Sequence, residues 1–374
     1  MLSDDFSRAF RDPGPLVLAL ACGMALGIFG GAVTSGGDEP ENGPATTVAA
    51  EEQQGASPEV GGESGDELPP PASDPSPPRG GPGSSGVSGI RLDALRAVER
   101  RYGGVAEAAV WVGGWQVPTV YGDAKRKMRM WSISKPVTAI AALRATPGGK
   151  PSAALAGAIE KALVESHNCA QRRVVLGLQT LTKKGPAGAQ AAFDGVLADA
   201  GVRATPANVG SAIEDCAEYF SRPGTGGVDT GGNAAQFGTS EWTIVDAVTF
   251  ARALGARKFG APGDRVLELL RREKLVSEEQ KRTGFTVPAD WGAGRALGPW
   301  EPSYKAGWGG EHQREFMAAQ IVTFPLQGQQ IAIAVAFHPD KQPTSDDPGS
   351  TTAPAAVERM LRIIGAQVQR AAQG

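Results

Sequence analysis

Hydrophobic positions along the chain fall into three regimes. The first is an unbroken apolar run, PLVLALACGMALGIFGGAV, from Pro15 to Val33. The second, Ser35 to Ser88, shows no hydrophobic periodicity. The third, Gly89 to Gly374, carries the alternations of folded elements. It opens with an amphipathic helical pattern, LDALRAVERRY, over Leu92–Tyr102, followed by strand-like runs AAVWVGG from Ala108 and VPTVYGD from Val117. A helix-rich stretch runs from Ser132 to Arg272. Strand signals return at Pro302–Trp308, Ala318–Phe324 and Ile331–Phe337. A closing helix over Thr352–Ala371 sets Val357, Met360, Leu361, Ile364 and Val368 along one face.

Strands from both ends of the third segment enclose a helical middle, so one sheet has to be assembled from distant parts of the chain. Short connections between the later strands favour antiparallel pairing. The expectation is an α+β domain over 89–374, an antiparallel sheet covered by helices with a helical lobe beside it. A cleft between the two is the natural ligand site.

The first two regimes predict an anchor and a tether. Nineteen uncharged residues at about 1.5 Å each just span a hydrocarbon core of roughly 30 Å. Arg8 and Arg11 precede the run, and Asp38, Glu39 and Glu41 follow it. That asymmetry puts residues 1–14 in the cytoplasm, a single transmembrane helix at 15–34, and the remainder outside. Signal cleavage and secretion are the alternative; lipidation of Cys22 is disfavoured by Ala19 three positions before it. Residues 35–88 hold ten Asp or Glu against one Arg, and no aromatic residue. Such a linker buries too little apolar surface to order itself, and as a flexible coil it would span roughly 40 Å.

Charge and rare residues narrow the function. A net charge of -3 and a pI of about 5.8 argue against nucleic acid as a partner. The three histidines, His167, His312 and His338, fall in no metal-ligand spacing, so neither a metal nor a cofactor is expected. Three cysteines are too few for a disulfide framework. Nothing in the sequence defines an oligomeric state.

Three short motifs occur in order. Ser132-Ile133-Ser134-Lys135 stands directly before the apolar run VTAIAAL. Ser166-His167-Asn168 follows the helix SAALAGAIEKALVE. Lys305-Ala306-Gly307 ends a strand-like segment and leads into Trp308. Each alone reads equally well as a helix cap, a turn and a surface lysine; the ordered trio is harder to reach by accident. Ser132 and Lys135, three apart at the start of a helix, share one face. A serine hydroxyl needs a base to take its proton. Lys135 suits that role if burial and a neighbouring cation such as Lys305 lower its proton affinity.

In these motifs and their order the chain resembles the serine β-lactamases and D-alanyl-D-alanine peptidases. The likeness is nearest the class A branch, because a strand pair precedes the nucleophile helix and two strands follow the Lys-x-Gly motif. It implies a β-lactamase/transpeptidase-like fold over Gly89–Gly374 and an acyl-Ser132 intermediate. Ser166 would relay a proton, Asn168 would bind a substrate carbonyl and hold Lys135, and Lys305 with Ala306 and Gly307 would receive a substrate carboxylate. The backbone N–H groups of Ser132 and Trp308 would form the oxyanion hole. The implied partner is a peptidoglycan peptide or a β-lactam-like small molecule.

The departures from the family pattern matter as much. Ala306 stands where the family has a threonine hydroxyl, a loss of about 1.5–3 kcal/mol for one charge-assisted hydrogen bond. No Glu-x-x-Leu-Asn string lies between Asn168 and Lys305; Glu214 and Asp215 lie there without that context. Efficient β-lactam hydrolysis is therefore the least expected activity. The segment ATPGGKPS, Ala145–Ser152, replaces a helix and should open the cleft. Cys169, beside the second motif, would pair with Cys216 in an oxidising compartment, the alternative being two buried thiols. Two functions follow: a membrane-anchored acyl-serine hydrolase acting on cell-wall peptides, or a catalytically weak relative serving as a surface binding or regulatory module. The five intact motif residues favour the first.

Overall fold

The computed structural model describes residues 89–129, 131–203, 240–274, 291–311, 314–341 and 351–373. The anchor and linker expected at 15–88, with Glu214, Asp215, Cys22 and Cys216, lie outside them. Among the described residues no helix is long and apolar enough to cross a membrane.

Helix α1 (Leu95–Tyr102) leads into β1 (Gly104–Val112) and the short β2 (Thr119–Tyr121). A two-residue strand, β3 (Met128–Arg129), and a 3-10 turn, Trp131–Ser134, precede α2 (Lys135–Ala145). The helical lobe continues through α3 (Ala153–Val164), α4 (Asn168–Thr182) and α5 (Gly185–Ala200). Next come β4 (Glu241–Trp242), which pairs with β3, then α6 (Ile244–Gly255) and α7 (Ala261–Leu270). The short α8 (Ala293–Leu297), strands β5 (Ser303–Glu311), β6 (Arg314–Leu326) and β7 (Gln329–Pro339), and α9 (Thr352–Gln373) complete the described chain.

The main sheet runs β2-β1-β7-β6-β5, antiparallel throughout. It is the α+β arrangement anticipated, with N-terminal β1 inserted beside C-terminal β7. The central strand β7 explains the layers. Ile331, Ile333, Val335 and Phe337 join the core under α1 and α9, while Ala332, Ala334 and Ala336 join the core of the helical lobe. Branched and aromatic residues fill the first face, and alanines on the other let α6 approach closely. The face forecast for α9 holds: Val357, Met360, Leu361, Ile364 and Val368 are all buried.

Helix α2 is buried on every side from Lys135 to Leu143, as a helix at the centre of a lobe must be. Its end follows from sequence: Thr146 precedes Pro147, which pushes it into an extended conformation and stops the helix. The segment Ala145–Ser152 accordingly forms a 3-10 turn at Pro147–Gly149, not a helix of its own; Ser152 then caps α3 by accepting from Leu155 N at 3.3 Å. Strand β1 begins at Gly104, four residues before the sequence signal, because it includes a charged residue, Glu107, that is fully buried.

Candidate active site

The turn Trp131–Ser134 carries Ser132 to the N-terminal end of α2, half-buried, with Lys135 wholly buried in the first helical turn. The turn is pinned from both sides. Trp131 has φ 46°, a left-handed conformation costly for a bulky residue. Its indole lies flat against Gly309 of β5; a Cβ on Gly309 would come within 2.9 Å of two ring atoms, so no side chain fits there. This approach lays the Lys305–Trp308 stretch of β5 along the Ser132 turn.

Ser166, His167 and Asn168 link α3 to α4. His167 caps α4, its Nδ1 accepting from Ala170 N at 3.3 Å, so Asn168 occupies the first helical position. Ser166, like Trp131, has a left-handed backbone, φ 51°. Two strained non-glycine residues therefore flank the site, one directly before the first motif and one in the second, a pattern that clusters at functional positions.

The three motifs converge on Ser166. Lys135 Nζ donates to Ser166 O at 2.5 Å and to Asn168 Oδ1 at 2.8 Å, and lies 3.4 Å from Ser166 Oγ. From the opposite side Lys305 Nζ donates to Ser166 Oγ at 3.0 Å. Residues 31 and 139 positions from Ser166 thus meet at one serine. Among the described residues Ser132 Oγ is not a hydrogen-bond partner of Lys135; the ammonium is turned toward the second motif.

One member of the network was not anticipated. Glu273, just beyond α7, is fully buried and forms an ion pair with Lys305, whose side chain is also 0% exposed. Ala306 N donates to the same carboxylate oxygen at 3.4 Å, and among the described residues the other oxygen has no hydrogen-bond partner. Burial pushes the Glu273 carboxyl up to about 7, against the opposing pull of the Lys305 charge and hydrogen bond, the Ala306 amide and the Lys135 charge. The sequence pattern had Lys305 open to a substrate carboxylate; its ammonium is instead already paired. The sequence hides this, because Arg271-Arg272-Glu273-Lys274 reads as a solvated charged run at the end of a helix.

The remaining expected site residues lie around this centre. Ala306 and Gly307 are buried in β5. Trp308 is half-buried, its ring edge-on to Trp291 at 6.1 Å and to Phe316 at 5.7 Å, so the indole belongs to an aromatic cluster. Cys169 is disulfide-bonded, and its partner falls outside the described residues. No group of three or more His, Cys, Asp or Glu among the described residues could hold a metal ion. Trp131 also lines a cavity of about 580 Å³ with Arg126, Arg129, Glu241, His338 and Asp340; none of the motif serines or lysines borders it.

No protein-family model matches the chain, and no curated protein matches it. Among solved structures it is similar to class A β-lactamases. One is an ancestral class A β-lactamase, at 18% identity over 74% of this chain and 99% of that one, with a TM-score of 0.48. Another is the class A β-lactamase from Mycobacterium abscessus, at 16% identity over 74% and 98%, with a TM-score of 0.47. A third is a mutant of the last common ancestor of Gram-negative bacteria class A β-lactamase, bound to 5(6)-nitrobenzotriazole, at 17% identity over 75% and 99%, with a TM-score of 0.47.

Proposed function

We propose that this chain is a serine acyl-transfer protein that forms an acyl intermediate on Ser132. The observation that carries the reading is the chain of hydrogen bonds Asn168–Lys135–Ser166–Lys305, built from three segments distant in sequence. A structural cluster gains nothing by placing two lysines around one strained serine beside a half-buried second serine.

In its neutral form Lys135 keeps two N–H donors, which match its two short contacts, to Ser166 O and Asn168 Oδ1. Its nitrogen takes the Ser132 proton as Ser132 Oγ bonds to the substrate carbonyl carbon. The bond from that carbon to the leaving group breaks. Ser166 delivers a proton to the leaving group and is replenished from Lys135, while Lys305 holds the Ser166 oxygen in place. Water then adds its hydroxyl to the acyl carbon, the bond from that carbon to Ser132 Oγ breaks, and the water's remaining proton goes to Ser132 Oγ. Backbone N–H groups of Ser132 and Trp308 are the proposed oxyanion donors, worth about 3 kcal/mol each in such sites.

The proposal places this domain outside the cell, tethered through residues 35–88 to an anchor at 15–34, with cell-wall peptides as its substrate class. The disulfide at Cys169 supports an oxidising compartment. A second reading, a surface binding module with weak catalysis, is favoured by the pairing of Lys305 with Glu273 and by Ala306. The two part on kinetics. With p-nitrophenyl acetate, the enzyme reading expects a burst of nitrophenolate that is lost in Ser132→Ala and Lys135→Ala. No burst from well-folded wild-type protein would favour the binding module.

A further inference from the structure

We propose that Glu273 is a positioning residue that fits this site to acyl donors whose leaving group carries no carboxylate beside the scissile bond: esters, thioesters or amides with neutral leaving groups. The inference rests on the acyl-serine reading above and narrows its substrate class: cell-wall peptides qualify only at bonds whose leaving group has no carboxylate beside the scissile bond.

The argument begins with what an incoming carboxylate would find. The Lys305 ammonium is sealed from solvent, one proton donated to Glu273 and another to Ser166. A substrate anion could reach that charge only by displacing Glu273, leaving a buried carboxylate without its partner. If it did not displace Glu273, two like charges would share one ammonium. The neighbouring position offers no compensation, because Ala306 has no hydroxyl and its N–H is turned to Glu273.

The pairing is also built into the backbone. Tyr304 Oη donates to the Glu273 carbonyl at 3.2 Å, and Lys274 N donates to Val164 O at 2.5 Å. Glu273 is thereby tied to β5 on one side and to the end of α3, just before Ser166, on the other. Its carboxylate faces Lys305 from β5 and Lys135 from α2, with Ser166 beyond Lys305. Glu273 so locks Lys305 into orienting Ser166, and withdraws it from substrate recognition. Burial raises the proton affinity of its carboxyl, so the lock loosens on acidification.

The test is a matched pair of substrates, N-benzoylglycyl thioglycolate and the same thioester with its carboxylate capped as a carboxamide. Purified full-length wild type should turn over the neutral thioester with a kcat/KM at least about tenfold higher. That preference should shrink as pH falls from about 8.5 to about 5.5, in the wild-type protein, whatever the variant's stability. Glu273→Gln should shift the ratio about tenfold toward the carboxylate substrate, chiefly through KM. A wild type that prefers the carboxylate thioester overturns the proposal. So does a ratio indifferent both to pH and to Glu273→Gln while the neutral thioester is still cleaved. Failure of both thioesters to acylate Ser132 would overturn the acyl-serine reading and this inference together, a distinct result.

Discussion

Glu273 and Lys305 form an ion pair with neither side chain exposed to solvent, and Lys305 donates a second hydrogen bond to Ser166 Oγ. Two charges taken out of water gain little net stability together, but either one left alone is costly. Glu273→Ala should therefore destabilise the protein by about 3–5 kcal/mol, and Lys305→Met by a similar amount. The double variant should lose far less than the sum. Urea unfolding of the four proteins measures the coupling, and simple additivity would mean the pair is not a unit.

Backbone strain at Ser166 offers a cleaner comparison. Ser166→Ala and Ser166→Gly both delete the hydroxyl that accepts from Lys305, and differ only in a Cβ held at φ 51°. Glycine takes that conformation without steric cost, so Ser166→Gly should be more stable than Ser166→Ala by about 1 kcal/mol. Both should lose acylation. Equal melting temperatures would remove strain from the account.

Glu107 should leave a mark on the pH dependence of stability. Burial first, and Asp123 second, push its carboxyl up to about 7 against the pull of Arg126. Among the described residues neither carboxylate oxygen has a hydrogen-bond partner, and the Arg126 guanidinium lies 3.6 Å away. A folded-state value raised above 4.5 means the folded protein binds the proton more tightly. Its stabilisation is full below pH 4.5 and is lost as pH rises through 7. His338, pushed down to about 4 by burial and Arg126, contributes the opposite slope over an overlapping range. The readout is therefore a difference: stability of wild type minus that of Glu107→Gln should fall by on the order of 3 kcal/mol between about pH 4 and about pH 8. A flat difference would place the titration elsewhere.

The cystine at Cys169 sits one residue from Asn168, so its partner bears on how firmly the second motif is held. Non-reducing peptide mapping should find Cys169 joined to Cys216, and reduction should cost about 4 kcal/mol for a loop of that size. Recovery of Cys169 joined to Cys22 would contradict the pairing.

The three motifs were legible because each sits where local signals are strong: Ser132 before an apolar helix, Ser166 after one, Lys305 in a strand. The closing helix and the later strands were legible for the same reason, their faces being written in simple periods. Glu107 and Glu273 were not. Glu273 sits in a charged run that looks solvated, and Glu107 is a lone carboxylate in an apolar strand; only the sheet and the end of α7 reveal that both are buried. The role of Lys305 was hidden with Glu273, since a pairing between residues 32 apart leaves no local pattern. The Lys135 contact also differed. Its place one helical turn from Ser132 suggested a bond between them, while the fold offers it two better acceptors at Ser166 and Asn168.

Peptide mass spectrometry of protein quenched during turnover of p-nitrophenyl acetate tests the central claim most directly. The account predicts an acetyl group on the peptide containing Ser132, absent from Ser132→Ala and much reduced in Lys135→Ala. An acetyl group found only elsewhere, or none at all on folded wild-type protein, would contradict it.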